Sequence, residues 1–481
     1  MRASGVLMHV SSLYGDYSCG SFGKEAKEFV DFLKESGFSY WQVLPFCMVD
    51  ECNSPYKSYS AFGGNPYFID LPTLQEKGYL TAEEVASAKQ DELYLCEFER
   101  LSQQRVELLT KASKRMAQNK AEVRKMQEFL KKFPDIDDAS TFMALKKVNG
   151  DLPWQEWTVN TPDEADLFAW RFIQYEFFTE WSEIKEYANA KGIKIIGDVP
   201  IYVALDSCDV WANKSQFLLD EENKPSCVAG VPPDYFSEDG QLWGNPLYDW
   251  DKMEKDGYSW WSRRISHMLT LFDGVRIDHF RGLESYWSIP ADATSAKAGK
   301  WVKGPGEKIV DKLKEIAGDK LIIAEDLGDI TPEVNDLLVY SGFPGMRVFQ
   351  FAFLGDKSSP HLPHNYTPNS IAYTGTHDNN TLLGHVWEMN GEARSRAFDY
   401  CNYEGNDWSK ACEYIMKTML QSASDTVIFP IQDLLVYGED TRMNIPGKAK
   451  NNWRYRITKD QLNLINRQKF NRLNDLYSRK R

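Results

Sequence analysis

The 481-residue chain is rich in aromatic residues and carries a formal net charge of −14. This charge argues against a nucleic acid or an anionic membrane as the main partner, because both would be repelled. No apolar run approaches the roughly 20 residues of a membrane-spanning helix, and the composition is typical of a globular protein. A neutral substrate would fit the charge, because the charge does not steer such a substrate either way.

The chain has eight scattered cysteines, and none of them forms a C-x-x-C pair. We find no His/Cys cluster with zinc spacing and no acidic loop of the EF-hand type, so the sequence predicts no metal site. Unpaired cysteines in a large chain are typical of a reducing compartment. The expected location is the cytoplasm, or a plastid if a transit peptide has been removed.

Short apolar runs recur along the chain, and each is followed at once by polar or charged residues. Buried parallel strands have this pattern. The eight runs occupy residues 5–10, 38–44, 193–196, 275–277, 321–324, 346–351, 371–373 and 427–431.

Helical patterns separate most of these runs. Phe29, Phe32 and Leu33 form an apolar stripe that Gly37 ends, and residues 167–190 carry aromatic residues at helical spacing. Eight strand–helix units predict an α/β protein with a closed (β/α)8 barrel, a TIM barrel. In this fold the C-terminal strand ends carry the active site, and the polar residues of this chain gather at those ends.

Two connections are too long for simple barrel loops. Residues 46–167 contain a capping-box pattern at Thr81 and Glu84, followed by charged helical sequence, which predicts an inserted and largely helical subdomain. Residues 201–260 are rich in Gly, Pro, Asp and aromatic residues. There we predict a loop-rich subdomain that covers the active site of a single catalytic barrel spanning residues 1–481.

The fourth apolar run ends in an arginine and an aspartate. Glycosyl transfer needs one carboxyl group at the anomeric carbon and another that protonates the leaving oxygen. Side chains alternate along a strand, so Arg276 and Asp278 face the barrel mouth together. The guanidinium favours an ionised Asp278, as a nucleophile requires. A purely structural Arg–Asp pair is the alternative.

The fifth run ends in two adjacent acids, Glu325 and Asp326. Desolvation raises the pKa of a carboxyl group, and repulsion from Asp326 would add to that rise. Both effects would suit Glu325 as a general acid that later acts as a base. A cap for the following helix is the alternative.

The seventh run is followed by His377 and Asp378. A histidine and an aspartate together can bind vicinal sugar hydroxyls, and Asp378 could bind more tightly as the ring flattens towards an oxocarbenium ion. A polar turn is the alternative. The three acids together are more specific than any one of them, because a barrel brings the fourth, fifth and seventh strand ends around one rim.

Longer motifs run in order along nearly the whole chain. They occupy residues 54–67, 197–203, 230–237, 240–246, 276–282, 324–328, 375–378, 443–447 and 452–454. In these motifs the sequence resembles the 4-α-glucanotransferases of the amylomaltase or disproportionating-enzyme type, glycoside hydrolase family 77.

The resemblance implies a retaining mechanism with Asp278 as the nucleophile, Glu325 as the acid/base and Asp378 as the transition-state stabiliser. It implies carboxylate chemistry without a cofactor, and a barrel without a C-terminal β-sandwich. It also implies that further side chains bind the reacting sugar or line nearby subsites, namely Tyr56, Asp198, Tyr235, Trp243, Asn245, Arg276, His279 and His377.

The expected reaction transfers segments of α-1,4-glucan to the 4-hydroxyl of glucose or another glucan. An α-amylase-type hydrolase would use the same acids with water as the acceptor, and a non-catalytic glycan-binding protein on a barrel is a second alternative. Transfer requires that water be excluded from the intermediate. We therefore expect residues 228–238 to form a lid over the site.

Overall fold

The computed structural model describes residues 2–50, 52–233, 238–448 and 450–481. The strands within these residues are β1 (Ala3–Leu7), β2 (Tyr40–Gln42), β3 (Lys194–Val199), β4 (Cys227–Val231), β5 (Gln241–Pro246), β6 (Gly274–Ile277), β7 (Ser285–Pro290), β8 (Lys300–Lys303), β9 (Leu321–Ala324), β10 (Gly345–Val348), β11 (Ser370–Tyr373) and β12 (Thr426–Pro430). Eight of them close into a parallel barrel in the order β1-β12-β11-β10-β9-β6-β3-β2. All eight apolar runs contribute barrel strands, and the predicted TIM barrel is confirmed.

Helices surround the barrel and fill the long connections. Those within the described ranges are α1 (Lys24–Glu35), α2 (Leu71–Glu76), α3 (Ala82–Ser87), α4 (Phe98–Met116), α5 (Lys120–Lys132), α6 (Pro134–Val148), α7 (Glu164–Ala190), α8 (Cys208–Ala212), α9 (Trp250–Lys255), α10 (Ser259–Leu271), α11 (Glu307–Ala317), α12 (Pro332–Ser341), α13 (Leu382–Glu388), α14 (Gly391–Tyr400), α15 (Trp408–Gln421), α16 (Ile431–Leu435), α17 (Lys459–Leu464) and α18 (Arg467–Leu476). Between β10 and β11 the chain forms only short 3-10 turns, so the sixth unit departs from the strand–helix pattern.

The register of the barrel strands decides which residues meet at the rim. Ile277 of β6 pairs with Ala324 of β9. The ladder continues one residue further, because Glu325 N donates to Ile277 O at 3.1 Å, while Asp278 N donates to Val199 O at 3.0 Å. Asp278 and Glu325 therefore leave neighbouring strands at the same level.

The first long connection is largely helical, as its sequence predicts. Helices α2 to α6 lie within residues 46–167, and α4, α5 and α6 pack against α7. Thr81 and Glu84 form the expected capping box at the start of α3, with reciprocal side-chain to backbone hydrogen bonds. The insertion therefore packs on α7, and α7 packs against the barrel strand β3.

The second long connection contains more regular structure than its composition predicts. Strands β4 and β5 lie within residues 201–260, and they join β7 and β8 in an antiparallel sheet of order β5-β4-β7-β8. β7 and β8 follow β6, and neither was predicted. β8 is short and charged, so it lacks the apolar pattern of a buried strand. The segment proposed as a lid, 228–238, begins inside this sheet, and residues 234–237 lie outside the described residues.

After β12 the described residues carry three α-helices, α16 to α18, and a short 3-10 turn. The final helices return to the first strand, where Arg479 donates to Ala3 O at 3.0 Å and Ser4 Oγ donates to Asn474 Oδ1 at 2.7 Å. Within the described ranges, no helix has both the length and the apolar character needed to cross a membrane.

Candidate active site

A cleft of about 530 Å³ opens at the C-terminal ends of the barrel strands. Its walls come from β6, β9 and β11, from the second sheet and from the segment that follows α16. Ten of the eleven residues predicted from the sequence lie within the described ranges, and nine of these line the cleft directly, namely Tyr56, Trp243, Asn245, Arg276, Asp278, His279, Glu325, His377 and Asp378. The tenth, Asp198, lies fully buried beneath them. Tyr235 lies outside the described residues.

Arg276 holds two aspartates at once. Its Nη2 lies 2.9 Å from Asp278 Oδ1, as the alternation along the strand predicts. Its Nη1 donates to both carboxylate oxygens of Asp198, at 2.9 and 2.7 Å. The terminal nitrogens of the guanidinium are therefore shared between the two aspartates, and Asp278 is held beside a fixed positive charge.

Asp198 also anchors Tyr56, whose hydroxyl donates to Asp198 Oδ2 at 2.8 Å. Burial raises the pKa of Asp198 above its ordinary value, although Arg276 works against that rise. The ring of Tyr56 stacks on the ring of His377, with centroids 5.0 Å apart and planes 12° apart. One face of Tyr56 is thus covered by His377, and the residue still lines the cleft.

Glu325 is the most buried of the three candidate acids, with 8% of the residue exposed. Each oxygen accepts one backbone hydrogen bond at 2.8 Å, Oε2 from His279 N and Oε1 from Leu327 N. Burial raises the pKa of Glu325 to about 7, Asp278 adds to the rise, and Arg276 with the two backbone donors opposes it. Glu325 can therefore exchange a proton near neutral pH.

His279 reaches Glu325 because its backbone adopts a left-handed conformation, with φ of 50°. This conformation is unfavourable for residues with a Cβ atom, and here it aims the backbone N–H at the carboxylate. Burial lowers the pKa of the His279 imidazole to about 4. The ring is neutral at physiological pH and can donate or accept a hydrogen bond without adding charge to the cleft.

Asp326 does not act on Glu325 in the way the sequence predicts. Its side chain turns to β10, where it accepts from Met346 N at 2.5 Å and from Arg347 Nη1 at 2.9 Å. The carboxylate that raises the pKa of Glu325 is Asp278, on the neighbouring strand. Asp326 instead joins β9 to β10 at a point where the strand register is reduced to the pair of Gly345 and Ala324.

Asp378 is more open, with 44% of its side chain exposed. His377 Nε2 lies 3.2 Å from Oδ2, and Asn444 Nδ2 donates to Oδ1 at 2.6 Å. Partial burial would raise the pKa of Asp378, but His377 and the bond from Asn444 outweigh it and hold the pKa below the ordinary value. Asp378 in turn raises the pKa of His377, against the opposing effect of burial.

Trp243 and Asn245 come from β5, so the second sheet forms one wall of the cleft. Trp243 is 37% exposed, and its ring meets that of His279 edge-on at 5.1 Å. Asn245 donates to Val203 O at 2.9 Å. An exposed indole beside the candidate acids is a platform on which a sugar ring can pack.

The segment after α16 forms the opposite wall of the cleft, and this contribution was not predicted from the sequence. Asn444 binds the side chain of Asp378, and Arg442 Nη2 donates to Asp378 O at 2.6 Å. Trp453 packs against Tyr56 and His377, with ring centroids 5.9 Å away from each. The signal was present, because Asn444 and Trp453 lie in motifs at 443–447 and 452–454, but no spacing rule links them to Asp378.

The charged groups that line the cleft are suited to catalysis by carboxyl groups. Among the residues that the structure describes, no group of three or more His, Cys, Asp or Glu side chains is arranged to hold a metal ion. Asp278 lies beside a guanidinium, Glu325 has a pKa near neutrality, and Asp378 is held ionised by its neighbours. Groups whose environments separate their pKa values in this way are typical of acid/base catalysis.

Known proteins resemble this chain over nearly its whole length. A family model described as 4-alpha-glucanotransferase matches residues 8–462. A 4-alpha-glucanotransferase of Clostridium butyricum is 43% identical, covering 98% of this chain and 100% of that protein, and one of Thermus thermophilus is 42% identical, covering 96% of each. The solved amylomaltase of Streptococcus agalactiae in complex with acarbose is 37% identical, superposes with a TM-score of 0.95 and is covered over 100% of both chains.

The match extends over the barrel, both long connections and the segment after α16. On this similarity of sequence and structure, the chain belongs to the 4-α-glucanotransferase family, glycoside hydrolase family 77.

Proposed function

We propose that this protein transfers segments of α-1,4-glucan from a donor chain to the 4-hydroxyl of glucose or of another glucan, with retention of the α configuration. Family membership supports this reaction. The observation that carries the proposal is the convergence of Asp278, Glu325 and Asp378 in one cleft, in three different electrostatic environments.

In the first step Asp278 attacks the anomeric carbon of the donor while Glu325 gives its proton to the departing chain. Arg276 holds Asp278 in an ion pair, and burial favours a protonated Glu325. The products of the step are a β-linked glucosyl-enzyme and a shortened glucan. Charge is conserved, because Asp278 loses its negative charge when it forms the ester bond and Glu325 gains one when it loses its proton.

In the second step Glu325, now ionised, takes the proton of an acceptor 4-hydroxyl, whose oxygen attacks the anomeric carbon and releases Asp278. Two inversions give retention. Adjacent parallel strands lie about 4.8 Å apart, and Asp278 and Glu325 leave β6 and β9 at the same level. This arrangement suits the carboxylate separation of about 5–5.5 Å that retaining enzymes use.

Asp378 and the neutral His279 bind the reacting sugar in this scheme, together with His377, Tyr56 and Arg276. Asp198, buried beneath them, holds Tyr56 and Arg276 in place. Asp378 remains ionised, so it stabilises positive charge that develops on the ring at the transition state. Trp243 and Asn245 line a neighbouring subsite. The wall formed by β5 and its sheet also reduces the access of water, which would otherwise compete with the acceptor.

Maltotriose distinguishes transfer from hydrolysis. We expect glucose together with oligomers longer than maltotriose, and a constant number of reducing ends, because transfer breaks one glycosidic bond and forms another. Chromatography of the products and a reducing-end assay measure both quantities, with the Asp278→Asn variant as the inactive control. Products no longer than maltose, with a rising number of reducing ends, would instead support the hydrolase.

A further inference from the structure

A single buried carboxylate joins the two ends of the segment that carries Asp378. Asp433 Oδ2 accepts from Thr374 Oγ1 at 2.5 Å, and Asp433 Oδ1 accepts from Leu382 N at 2.8 Å. Thr374 directly follows β11 and Leu382 begins α13, so these two contacts close the segment 374–382 at its base. Asp433 itself lies in α16, directly after the neighbouring strand β12.

Hydrogen bonds within the segment hold its residues together, and the contacts at its two ends act with those of Arg442 and Asn444 on Asp378. Asn379 Oδ1 accepts from Thr376 N at 2.8 Å and from Thr376 Oγ1 at 2.9 Å. Gln350 Nε2 donates to Asn380 O at 2.7 Å from below. We expect a turn with these internal hydrogen bonds to move as one unit. The two contacts of Asp433 attach this unit to the end of β12.

The stability of the fold alone does not account for an aspartate at this position. Asp433 is 1% exposed, and no salt bridge among the described residues involves it. Burial raises the pKa of Asp433 to about 6, because the fold removes this carboxyl group from water without placing a cation beside it. Such a group opposes folding. What the carboxylate provides is two acceptor oxygens, one for each end of the segment.

We propose that Asp433 is a positioning residue that holds Asp378 in the cleft through the two ends of the segment 374–382. The inference rests on the proposed role of Asp378 as the stabiliser of the transition state. Asp433 lies beneath the segment and touches no substrate. Its loss therefore lowers turnover by letting Asp378 move together with His377 of the same segment, while the sugar-binding side chains outside the segment stay in place.

Asp433→Ala removes both contacts, and Thr374→Val removes the one at the start of the segment. Displacing a group by about 1 Å can lower a rate by about 100-fold, and we expect losses of that order in kcat for the disproportionation of maltotriose. We expect KM to change by no more than about threefold, because an interaction made in the transition state is lost rather than ground-state binding. Thr374→Ser, which keeps the hydroxyl, should recover most of the loss seen in Thr374→Val.

Ser424→Ala is the matched control. Ser424 Oγ lies 2.7 Å from Ser370 Oγ and joins the same two strands, β11 and β12, near their opposite ends. Removing this buried hydrogen bond should lower the Tm and leave kcat unchanged. If Asp433→Ala and Thr374→Val behave like Ser424→Ala, with a lower Tm and a normal kcat, Asp433 is structural and the inference is overturned.

Asp378→Asn, assayed in parallel, separates this inference from the proposed function. An inactive Asp378→Asn beside a fully active Asp433→Ala overturns the inference alone. An active Asp378→Asn overturns the role of Asp378, and the inference fails with it. Thr374→Val changes one buried hydroxyl to a methyl group of similar shape, so it decides the question if Asp433→Ala does not fold.

Discussion

The ends of β9 and β11 each present a carboxylate to the same cleft, yet the two groups differ in protonation. The pKa of Glu325 rises to about 7, whereas that of Asp378 falls below its ordinary value. Glu325 is 8% exposed and receives only backbone hydrogen bonds, while Asp378 is half-exposed and meets the His377 imidazole and the Asn444 amide. The difference shows that exposure and nearby donors, rather than position at a strand end, decide which acid keeps its proton.

Arg276 explains how Glu325 keeps a proton with a guanidinium nearby. The terminal nitrogens of Arg276 already contact Asp198 and Asp278. Within the described residues Glu325 therefore interacts with this positive charge only at a distance and forms no ion pair with it. The nucleophile and the acid are thereby separated electrostatically although they leave neighbouring strands. One cation is thus shared between Asp198 and Asp278, while burial keeps the pKa of Glu325 raised.

The largest expected effect comes from Glu325→Gln, which removes the proton donor and keeps the shape. Positioned acid/base catalysis contributes about 100- to 10,000-fold, so we expect turnover of maltotriose to fall by roughly 1,000-fold. In the wild type, kcat/KM should decline tenfold per pH unit above about pH 7, because the first step needs a protonated Glu325. The variant should lose this alkaline limb, and a pH profile measures both effects.

An activated donor provides the control for Glu325→Gln. The fluoride of α-glucosyl fluoride leaves without a strong acid, so the variant should retain much more of its first-step rate with this donor than with maltotriose. Asp278→Asn should fail with both donors, because the nucleophile is absent. Equal losses with both donors for Glu325→Gln would contradict its assignment as the acid.

The second effect is on stability, and its sign should differ between the two carboxylates. The folded pKa of Glu325 is raised from 4.5 to about 7, so its ionisation opposes folding as the pH rises through this range. At about pH 8, Glu325→Gln should increase the free energy of unfolding by up to about 3 kcal/mol, less what the backbone donors lose when one oxygen is replaced. The gain should vanish near pH 4.5.

Asp378→Asn should do the reverse. The folded pKa of Asp378 is lowered, so its ionised form contributes stability that is present at neutral pH and lost as the pH falls through the folded pKa. Removing this charge should lower the Tm at neutral pH, with a difference that shrinks in acid. Thermal unfolding of both variants at two pH values measures the effects, and shifts of the same sign at pH 8 would refute the electrostatic contrast.

In this contrast between Glu325 and Asp378, the sequence predicts the surroundings of Glu325 better than those of Asp378. Glu325 and its burial follow from an apolar run ending in an acid, and the contact of Arg276 with Asp278 follows from alternation along β6. The direction of Asp326 could not be predicted, because it depends on the neighbouring strand, where Arg347 and Met346 N are its partners. Adjacent acids look alike in sequence whichever way each one turns.

Asp378 receives one of its two side-chain partners, Asn444, from far along the chain. Asn444 lies 66 residues away, after the last barrel strand, and reaches the cleft only because its segment folds back across the rim. The second sheet is similar, since β7 and β8 belong to a different connection from β4 and β5. Local patterns predict the barrel and its acids, but contacts between separate connections depend on how the closed barrel brings those connections together.

The smallest expected effect concerns the backbone of His279, whose N–H donates to Glu325 Oε2 from the neighbouring strand end. His279→Gly and His279→Ala both remove the imidazole and keep the N–H. Glycine adopts a φ of 50° freely, whereas alanine does so at a cost of about 1 kcal/mol. His279→Ala should therefore relax away from this conformation more often and weaken the hydrogen bond to Glu325 Oε2.

Because both variants lose the same side-chain contact with the sugar, their ratio isolates the backbone. We expect kcat of His279→Ala to be about fivefold below that of His279→Gly, which corresponds to about 1 kcal/mol. The backbone donor lowers the pKa of Glu325, so its loss should also move the alkaline limb of His279→Ala to higher pH. Identical profiles for the two variants would mean that the left-handed conformation at His279 does not tune the acid.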